Sequence, residues 1–370
     1  MRHKILFTSN IPVPYRVQFF NELGKYVDLT VTFERTTAKT RNSNWLSLKA
    51  ENFKAVTLKG VSLGDDLAFC PSIIDVVQKG NYDLIVVGIY YSPTGILLTE
   101  YLKHKKIKYA FSGDGANIKK ENWLKYKIKS RLQGGASLYL VSSNLSIDSL
   151  AHYGIEKSLI RKYPFSSLTT CDILPEPVND ELRLLLRKKL NIKEDYIIIG
   201  VGRYLFWKKW DVLIEATRKL KGSVGLYIVG GDPRGTYLEK FVSDGYNYVH
   251  FVNFKQKDEL SEYYMASDVF VLPSSHDVWG LVVNEAMAKG LPVISTPKTT
   301  AAVELIESGI NGYITPVGDV VALSSALEKL QGNKDLRFSM SVANLKKIKN
   351  YTIENMAITT ASIISDFLKE

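Results

Sequence analysis

The sequence predicts an α/β protein made of two Rossmann-like halves of similar size. Three observations carry that expectation. Short apolar runs alternate with helical patterns along most of the 370 residues, the mark of βαβ units around parallel sheets. The alternation breaks at a proline-bearing stretch and then restarts. At roughly 100–200 residues per domain, the length asks for two cores rather than one.

The first half opens on a strand over 4–8, a loop with Pro12 and Pro14, and an amphipathic stretch over 17–23. Strands are expected over 28–33, 55–58, 84–88, 108–111 and 138–141. Helices are expected between them over 73–79, 95–103, 121–132 and 144–153. The segment from Tyr163-Pro164-Phe165 to Pro175 and Pro177 reads as an exposed connector. The second half restarts with a helix over 179–190 and a strand over 196–200. Helices at 210–219, 237–242, 257–265 and 282–289 then alternate with strands at 225–229, 249–251, 269–273 and 292–295. Sheets of this kind bind ligands at the C-terminal ends of their strands, so the loops after strands, and a cleft between the halves, are where chemistry is expected.

Hydrophobic residues make up 45% and charged residues 23%, as in an ordinary soluble globular chain. No apolar run approaches the ~18 residues of a membrane span, and the opening residues lack a long apolar leader. The expected location is therefore the cytoplasm, or the inner face of the cell membrane as a peripheral protein. Cys70 and Cys171 support neither a disulfide framework nor a CxxC metal site and read as two reduced core thiols. Ser9-Asn10-Ile11-Pro12 stands where a dinucleotide fold would carry GxGxxG, and no Walker A sequence occurs. Asp-x-Asp and GxSxG are absent, and the histidines at 3, 104, 152, 250 and 276 lack metal-ligand spacing.

Four constellations remain. The first runs from Pro273 through Asp277, Gly280 and Glu285 to Gly290-Leu-Pro-Val-Ile294. A strand ends at Pro273 and a helix begins near Gly280, so the N–H groups of Leu281 and Val282 and the helix dipole can receive a phosphate. Asp277 and Glu285, eight positions apart, offer carboxylates to sugar hydroxyls. The competing reading is a helix with solvated acidic ends. The second is Gly200-Val-Gly202-Arg203 with Lys208 and Lys209, glycines at a strand end beside cations that suit a diphosphate; it also reads as a basic surface loop. The third, Gly230-Gly231-Asp232-Pro233, reads as a tight turn at the same edge. In the first half, Arg16 and Asp114 follow strands and are candidate polar contacts. They also read as a surface charge and a helix cap.

These residues resemble the donor site of the family-4 retaining glycosyltransferases of GT-B fold. The likeness lies in Gly202-Arg203…Lys208, in Asp277-x7-Glu285 with its Ala-rich helix and Gly290-Leu-Pro-Val, and in Gly312-Tyr-Ile-Thr-Pro316. The resemblance implies two Rossmann-like domains with parallel sheets facing across a cleft. Residues 1–170, completed by a C-terminal helix over about 350–370, would bind the acceptor, and residues 171–349 the nucleotide-sugar. Arg203 and Lys208 would neutralise the diphosphate, Asp277 would contact the transferred sugar, and Glu285 would bind the ribose. Gly202, Gly280, Leu281 and Val282 would approach the phosphates, and Val252 and Phe254 the base. A UDP-sugar is the donor such proteins most often use, with no metal and no other cofactor. The implied reaction is transfer with retention, through an oxocarbenium-like state, to a glycan or lipid-linked acceptor in polysaccharide biosynthesis. Asp277 departs from the Glu usual at the first position, and Pro14-Tyr15-Arg16 replaces a glycine pair. Alternatives are a sugar-nucleotide epimerase or phosphorylase of the same fold, or an inactive scaffold.

The formal charge of +10 is uneven. Residues 1–170 hold 24 Lys and Arg against 13 Asp and Glu, and residues 171–370 hold 24 against 25. The excess gathers in Lys103, Lys105, Lys106 and Lys108, and in Lys119, Lys120, Lys125, Lys127, Lys129 and Arg131 around Trp123, Leu124, Ile128 and Leu132. A helix of this pattern suits an anionic membrane surface, with Trp123, Lys125, Lys127 and Lys129 facing it. The other reading is a core stripe with a solvated basic face. No nucleic-acid module accompanies the charge, and no nucleic-acid partner is expected.

Overall fold

The structure, a computed structural model, describes residues 2–36, 49–64, 67–115, 121–242 and 245–370. The chain divides into two units, Met1–Ser167 with Thr352–Glu370, and Leu168–Tyr351.

Among the described residues the first unit has nine strands: β1 (Lys4–Ser9), β2 (Asp28–Phe33), β3 (Lys54–Thr57), β4 (Val61–Leu63), β5 (Leu67–Phe69), β6 (Leu84–Val87), β7 (Tyr109–Gly113), β8 (Leu138–Val141) and β9 (Ile160–Lys162). Helices α1 (Pro14–Leu23), α2 (Ile73–Gly80), α3 (Pro93–His104), α4 (Trp123–Gln133) and α5 (Asn144–His152) connect them. Seven strands form one parallel sheet in the order β3-β2-β1-β6-β7-β8-β9, while β4 and β5 pair as a separate antiparallel hairpin. The near-continuous apolar runs of β1, β6 and β8 reflect burial on both faces. Helix starts carry their own signals: Ser92 and Asn122 accept from the backbone N–H groups of Gly95 and Lys125, and Pro14 opens α1.

The second unit repeats the plan. Its strands are β10 (Tyr196–Val201), β11 (Val224–Val229), β12 (Val249–Val252), β13 (Val269–Leu272), β14 (Val293–Ser295) and β15 (Gly312–Ile314). Its helices are α6 (Asp180–Lys189), α7 (Trp210–Thr217), α8 (Lys257–Ala266), α9 (Leu281–Ala288), α10 (Thr300–Leu305), α11 (Val320–Gln331) and α12 (Lys334–Ile348). The six strands lie parallel in the order β12-β11-β10-β13-β14-β15. This order reverses direction between β10 and β13, the switch point at which such sheets open a crevice for ligands. The last helix, α13 (Ile353–Lys369), packs against α1 and belongs to the first unit. No described helix is long and apolar enough to cross a membrane.

Four expectations are corrected. The segment 163–168 is not exposed: Tyr163, Phe165, Ser166 and Leu168 are buried, because Tyr163 donates to Asp114 and Phe165 packs edge-on against Tyr15. The helix expected over 237–242 is a single 3₁₀ turn, Glu239–Phe241; buried Leu238 and Phe241, three apart, need no more than one turn. Cys70 is a buried thiol, but Cys171 is exposed. The apolar residues of α4 are not core. None of its residues is buried, and Trp123, Leu124 and Ile128 are respectively 71%, 60% and 49% exposed.

Candidate functional site

The switch point of the second sheet brings together the loops after β10 and β13. Ser275 donates both its N–H and its hydroxyl to the Trp207 carbonyl, at 2.8 and 3.1 Å. Across this junction the Lys208 Nζ lies 2.6 Å from Asp277 Oδ2, both side chains being largely buried. Gly202 lies against the Lys208 side chain. Beneath them Trp210 is fully buried and donates its ring N–H to the Arg203 carbonyl at 3.2 Å, which holds the loop in shape. Lys209 completes the turn in the left-handed region, at φ 57°. A non-glycine residue there costs on the order of 1–3 kcal/mol and tends to occur at functional sites.

Asp277 is held from its other side as well. Its N–H donates to the Lys298 carbonyl at 2.9 Å and it bridges to Thr299. Gly280 follows at φ 95°, and a Cβ there would lie 2.8 Å from Thr299 Cγ2. Position, space and dihedral therefore all require glycine. It caps α9 without a side chain, so the first turn, Leu281 and Val282, presents backbone N–H groups that have no partner within the helix.

Glu285 stands one turn further on, half-buried, and its Oε2 accepts from the Tyr264 hydroxyl at 3.2 Å. Val252 ends β12, and its carbonyl accepts from the Gly230 N–H at 2.9 Å and from the Tyr204 hydroxyl at 3.3 Å. Phe254 follows and is exposed. A Cβ at Gly230 would lie 2.1 Å from the Gly202 carbonyl oxygen, so the turn after β11 can sit beside the β10 loop only as glycine. The geometry thus places Gly202, Lys208, Asp277 and Gly280 in one contiguous patch, with Val252 tied to it through Gly230. The Arg203 side chain is exposed and pairs with no carboxylate among the described residues. Lys208, by contrast, already has a counter-ion.

In the first unit Arg16 and Asp114 find each other. The Arg16 guanidinium is ion-paired to Asp114 Oδ2 and lies over the rings of Tyr15 and Phe165, with centroids 5.9 and 5.5 Å away. Tyr163 donates to Asp114 Oδ1 at 2.9 Å. Burial works against the Arg16 charge, but Asp114, Tyr15 and Tyr163 outweigh it and hold the group above its ordinary basicity. Burial, and then Asp114, push the Tyr163 phenol up. Arg16 is therefore not a solvated surface charge, and Asp114 serves as its counter-ion. The two close a buried cluster at the C-terminal ends of β1 and β7.

On α4 the residues facing the protein are the polar ones. Tyr126 and Ser130 donate to the carbonyls of His152 and Tyr153, at 3.0 and 2.7 Å. Lys129 pairs with Glu121 at 2.6 Å and lies over the Tyr153 ring, so it does not share the outward face. Trp123, Leu124, Lys125, Lys127 and Ile128 do, with the Lys127 Nζ 5.6 Å from the Trp123 ring centroid. Lys119 and Lys120 lie outside the described residues. No cluster of three or more His, Cys, Asp or Glu able to hold a metal ion occurs among the described residues.

Two features of this site were not legible in the sequence. Tyr264 is the second of two adjacent tyrosines on an amphipathic helix, which reads as ordinary core. Thr299 gives no motif signal at all.

Residues 183–347, which hold the loops of the second unit described above, match the family Glycosyl transferases group 1. The amylovoran biosynthesis glycosyltransferase AmsK of Erwinia amylovora is 35% identical over 182 residues, 46% of this chain and 43% of that protein. The chain therefore spans less than half the length of that relative. The N-acetyl-alpha-D-glucosaminyl L-malate synthase of Bacillus anthracis is 24% identical over 82% of this chain and 80% of its own length. Among solved structures, Anabaena HepE in complex with UDP superposes with a TM-score of 0.78 at 19% identity, covering 98% of this chain and all of that one. Two parallel-sheet units, the first completed by the C-terminal helix, are thus the GT-B architecture, and residues 183–347 match the Glycosyl transferases group 1 family.

Proposed function

We propose that the chain is a glycosyltransferase that moves a sugar from a nucleoside-diphosphate sugar, a UDP-sugar first among them, to a glycan or lipid-linked acceptor in bacterial surface-polysaccharide assembly. The observation that carries the reading is the patch at the second unit's switch point. There a cation-bearing loop and the amino end of α9 meet at the C-terminal ends of β10 and β13. Arg203, Lys208 and the N–H groups of Leu281 and Val282 receive the diphosphate. As the sugar–phosphate bond breaks, they stabilise the charge that develops on the leaving group. Asp277 contacts the transferred sugar, Glu285 the ribose, and the Val252–Phe254 loop the base. Transfer with retention, without a metal, follows from the family resemblance. The reading is supported by relatives that build amylovoran and by a structural neighbour that holds UDP.

A thermal-shift screen with UDP, GDP and ADP tests the donor. At 100 times its dissociation constant a nucleotide stabilises its site by about 2.7 kcal/mol, and UDP is expected to give the largest rise. If none of the three moves the transition, the donor reading fails. If a sugar-nucleotide is converted without an acceptor, the chain is an epimerase.

We further propose that the outward face of α4 rests on an anionic membrane, where a lipid-linked acceptor resides. An exposed Trp123, Leu124 and Ile128 flanked by Lys125 and Lys127 suits that surface. Sedimentation with phosphatidylglycerol vesicles is expected to weaken at least about tenfold when Lys125 and Lys127 become Glu, since each basic residue near such a surface contributes about 1 kcal/mol. Lys129→Glu is expected to act through Glu121 and the fold instead. Undiminished binding of the double variant would rule the surface out.

A further inference from the structure

We infer that Tyr264 is a positioning residue of the donor site: its buried hydroxyl holds one oxygen of the Glu285 carboxylate, so that the side chain meets the nucleotide's ribose in a single orientation. The inference rests on the proposed donor role of Glu285.

Tyr264 lies on α8 and is 2% exposed, with its ring packed 6.0 Å, centroid to centroid, from Phe270 on β13. A hydroxyl in such a place is costly unless it is bonded. Packing alone would be met by phenylalanine, the residue that the neighbouring strand position uses. The hydroxyl donates to Glu285 Oε2 at 3.2 Å. Burial, reinforced by Glu285, pushes the phenol well above its ordinary range. The proton therefore stays on tyrosine, and the hydroxyl is available to donate to the carboxylate. The preceding residue, Tyr263, faces another way and packs against the cluster of Leu186, Ile192 and Tyr227. Only one of the two tyrosines thus reaches α9.

Glu285 itself stands on a short helix whose neighbours Val283, Asn284, Ala286, Met287 and Ala288 are all buried. The backbone under Glu285 is therefore fixed, and its remaining freedom is rotation of the side chain. A carboxylate that must accept hydroxyl hydrogens at a set angle gains from a second bond that removes this freedom. Charge-assisted bonds are the strong kind, and residues that orient a ligand-binding group carry much of its effect.

The test is calorimetry of UDP and 3′-deoxy-UDP binding to the full chain. Tyr264→Phe is expected to weaken UDP about fivefold and to bring the UDP to 3′-deoxy-UDP affinity ratio close to one. A mere packing defect would lower both affinities and leave the ratio alone. In a Glu285→Ala background Tyr264→Phe is expected to have no further effect, and Tyr263→Phe is expected to bind as wild type does. Tyr264→Met removes the hydroxyl while filling much of the ring's space and is expected to lose the same discrimination, which serves should Tyr264→Phe not fold. A wild-type ratio in Tyr264→Phe, or equal losses with and without Glu285, would overturn the inference. Unchanged UDP binding in Glu285→Ala would instead remove the donor role of Glu285 on which the inference stands.

Discussion

Asp268→Ala is expected to lower the melting transition of the second unit by about 10 °C, corresponding to a loss on the order of 3–5 kcal/mol. The side chain is 4% exposed, and its carboxylate is the hub of a buried network. Arg187 Nη2 lies 2.7 Å from Oδ2, Arg183 Nη1 lies 3.4 Å from Oδ1, and the Ile197 N–H donates to Oδ2 at 2.7 Å. Arg187 also donates to the carbonyls of Ala266 and Asp195, both at 2.9 Å. These bonds tie α6 to the entry of β10 and β13, at the sheet end opposite the donor loops. Alanine leaves the Arg187 guanidinium buried without its counter-ion, and that uncompensated charge, rather than the lost attraction, carries most of the cost. Arg183 has less to lose, since burial already lowers its basicity. Converting the pair together, Asp268→Leu with Arg187→Met, is expected to recover most of the loss. Scanning calorimetry decides: a single variant melting within a degree or two of wild type would show that the network is not buried in solution.

The sequence made the scaffold readable where burial leaves a run. Tyr196–Val201, Asp28–Phe33 and Val269–Leu272 are apolar enough to stand out as doubly covered strands, and Gly280 marks the start of α9 where a motif reader expects it. Three-residue strands such as Val61–Leu63, Ile160–Lys162 and Gly312–Ile314 did not stand out, because no period can be recognised over so few positions. The individual donor residues were legible as types at strand ends. Their mutual contacts were not. Lys208 and Asp277 are 69 positions apart and meet only because β10 and β13 are neighbours in the sheet, which is a fact of strand order. Arg16 and Asp114 show the same limit from the other side. Each alone reads as a candidate polar contact at a strand end, or as a surface charge and a helix cap. Their pairing, 98 positions apart, is what draws both partly out of solvent. On α4, the sequence pattern of apolar and basic residues was visible, but which face turned inward depended on Tyr126, Lys129 and Ser130 finding partners on α5 and its flanks.

The Lys208–Asp277 pair leads to the second large effect, and to one of opposite sign in binding and turnover. On the proposed reading Lys208 neutralises the diphosphate, yet its charge is already matched by a carboxylate 2.6 Å away. Arg203, which pairs with no carboxylate among the described residues, then attracts the resting diphosphate, while Lys208 is shared between Asp277 and the phosphate. Lys208→Ala is expected to reduce transfer by about 10²–10³-fold, the usual consequence of removing a group aimed at charge that develops in the transition state. The loss exceeds that of a single cation because Asp277 is left as an unpaired carboxylate beside an anionic leaving group. Asp277→Asn works the other way on binding. It releases Lys208 to the phosphates and removes a repulsive charge, so UDP is expected to bind several-fold tighter, by the same Coulomb argument that makes like charges costly at short range. Transfer nevertheless falls, because the contact to the moving sugar is weakened. In the double variant the two effects are expected to be far from additive, since each residue's environment is set by the other. Calorimetry with UDP and initial rates of transfer separate the two quantities. Weaker UDP binding by Asp277→Asn, or single effects that simply multiply in the double variant, would show that the ion pair is not the device by which this site holds its diphosphate.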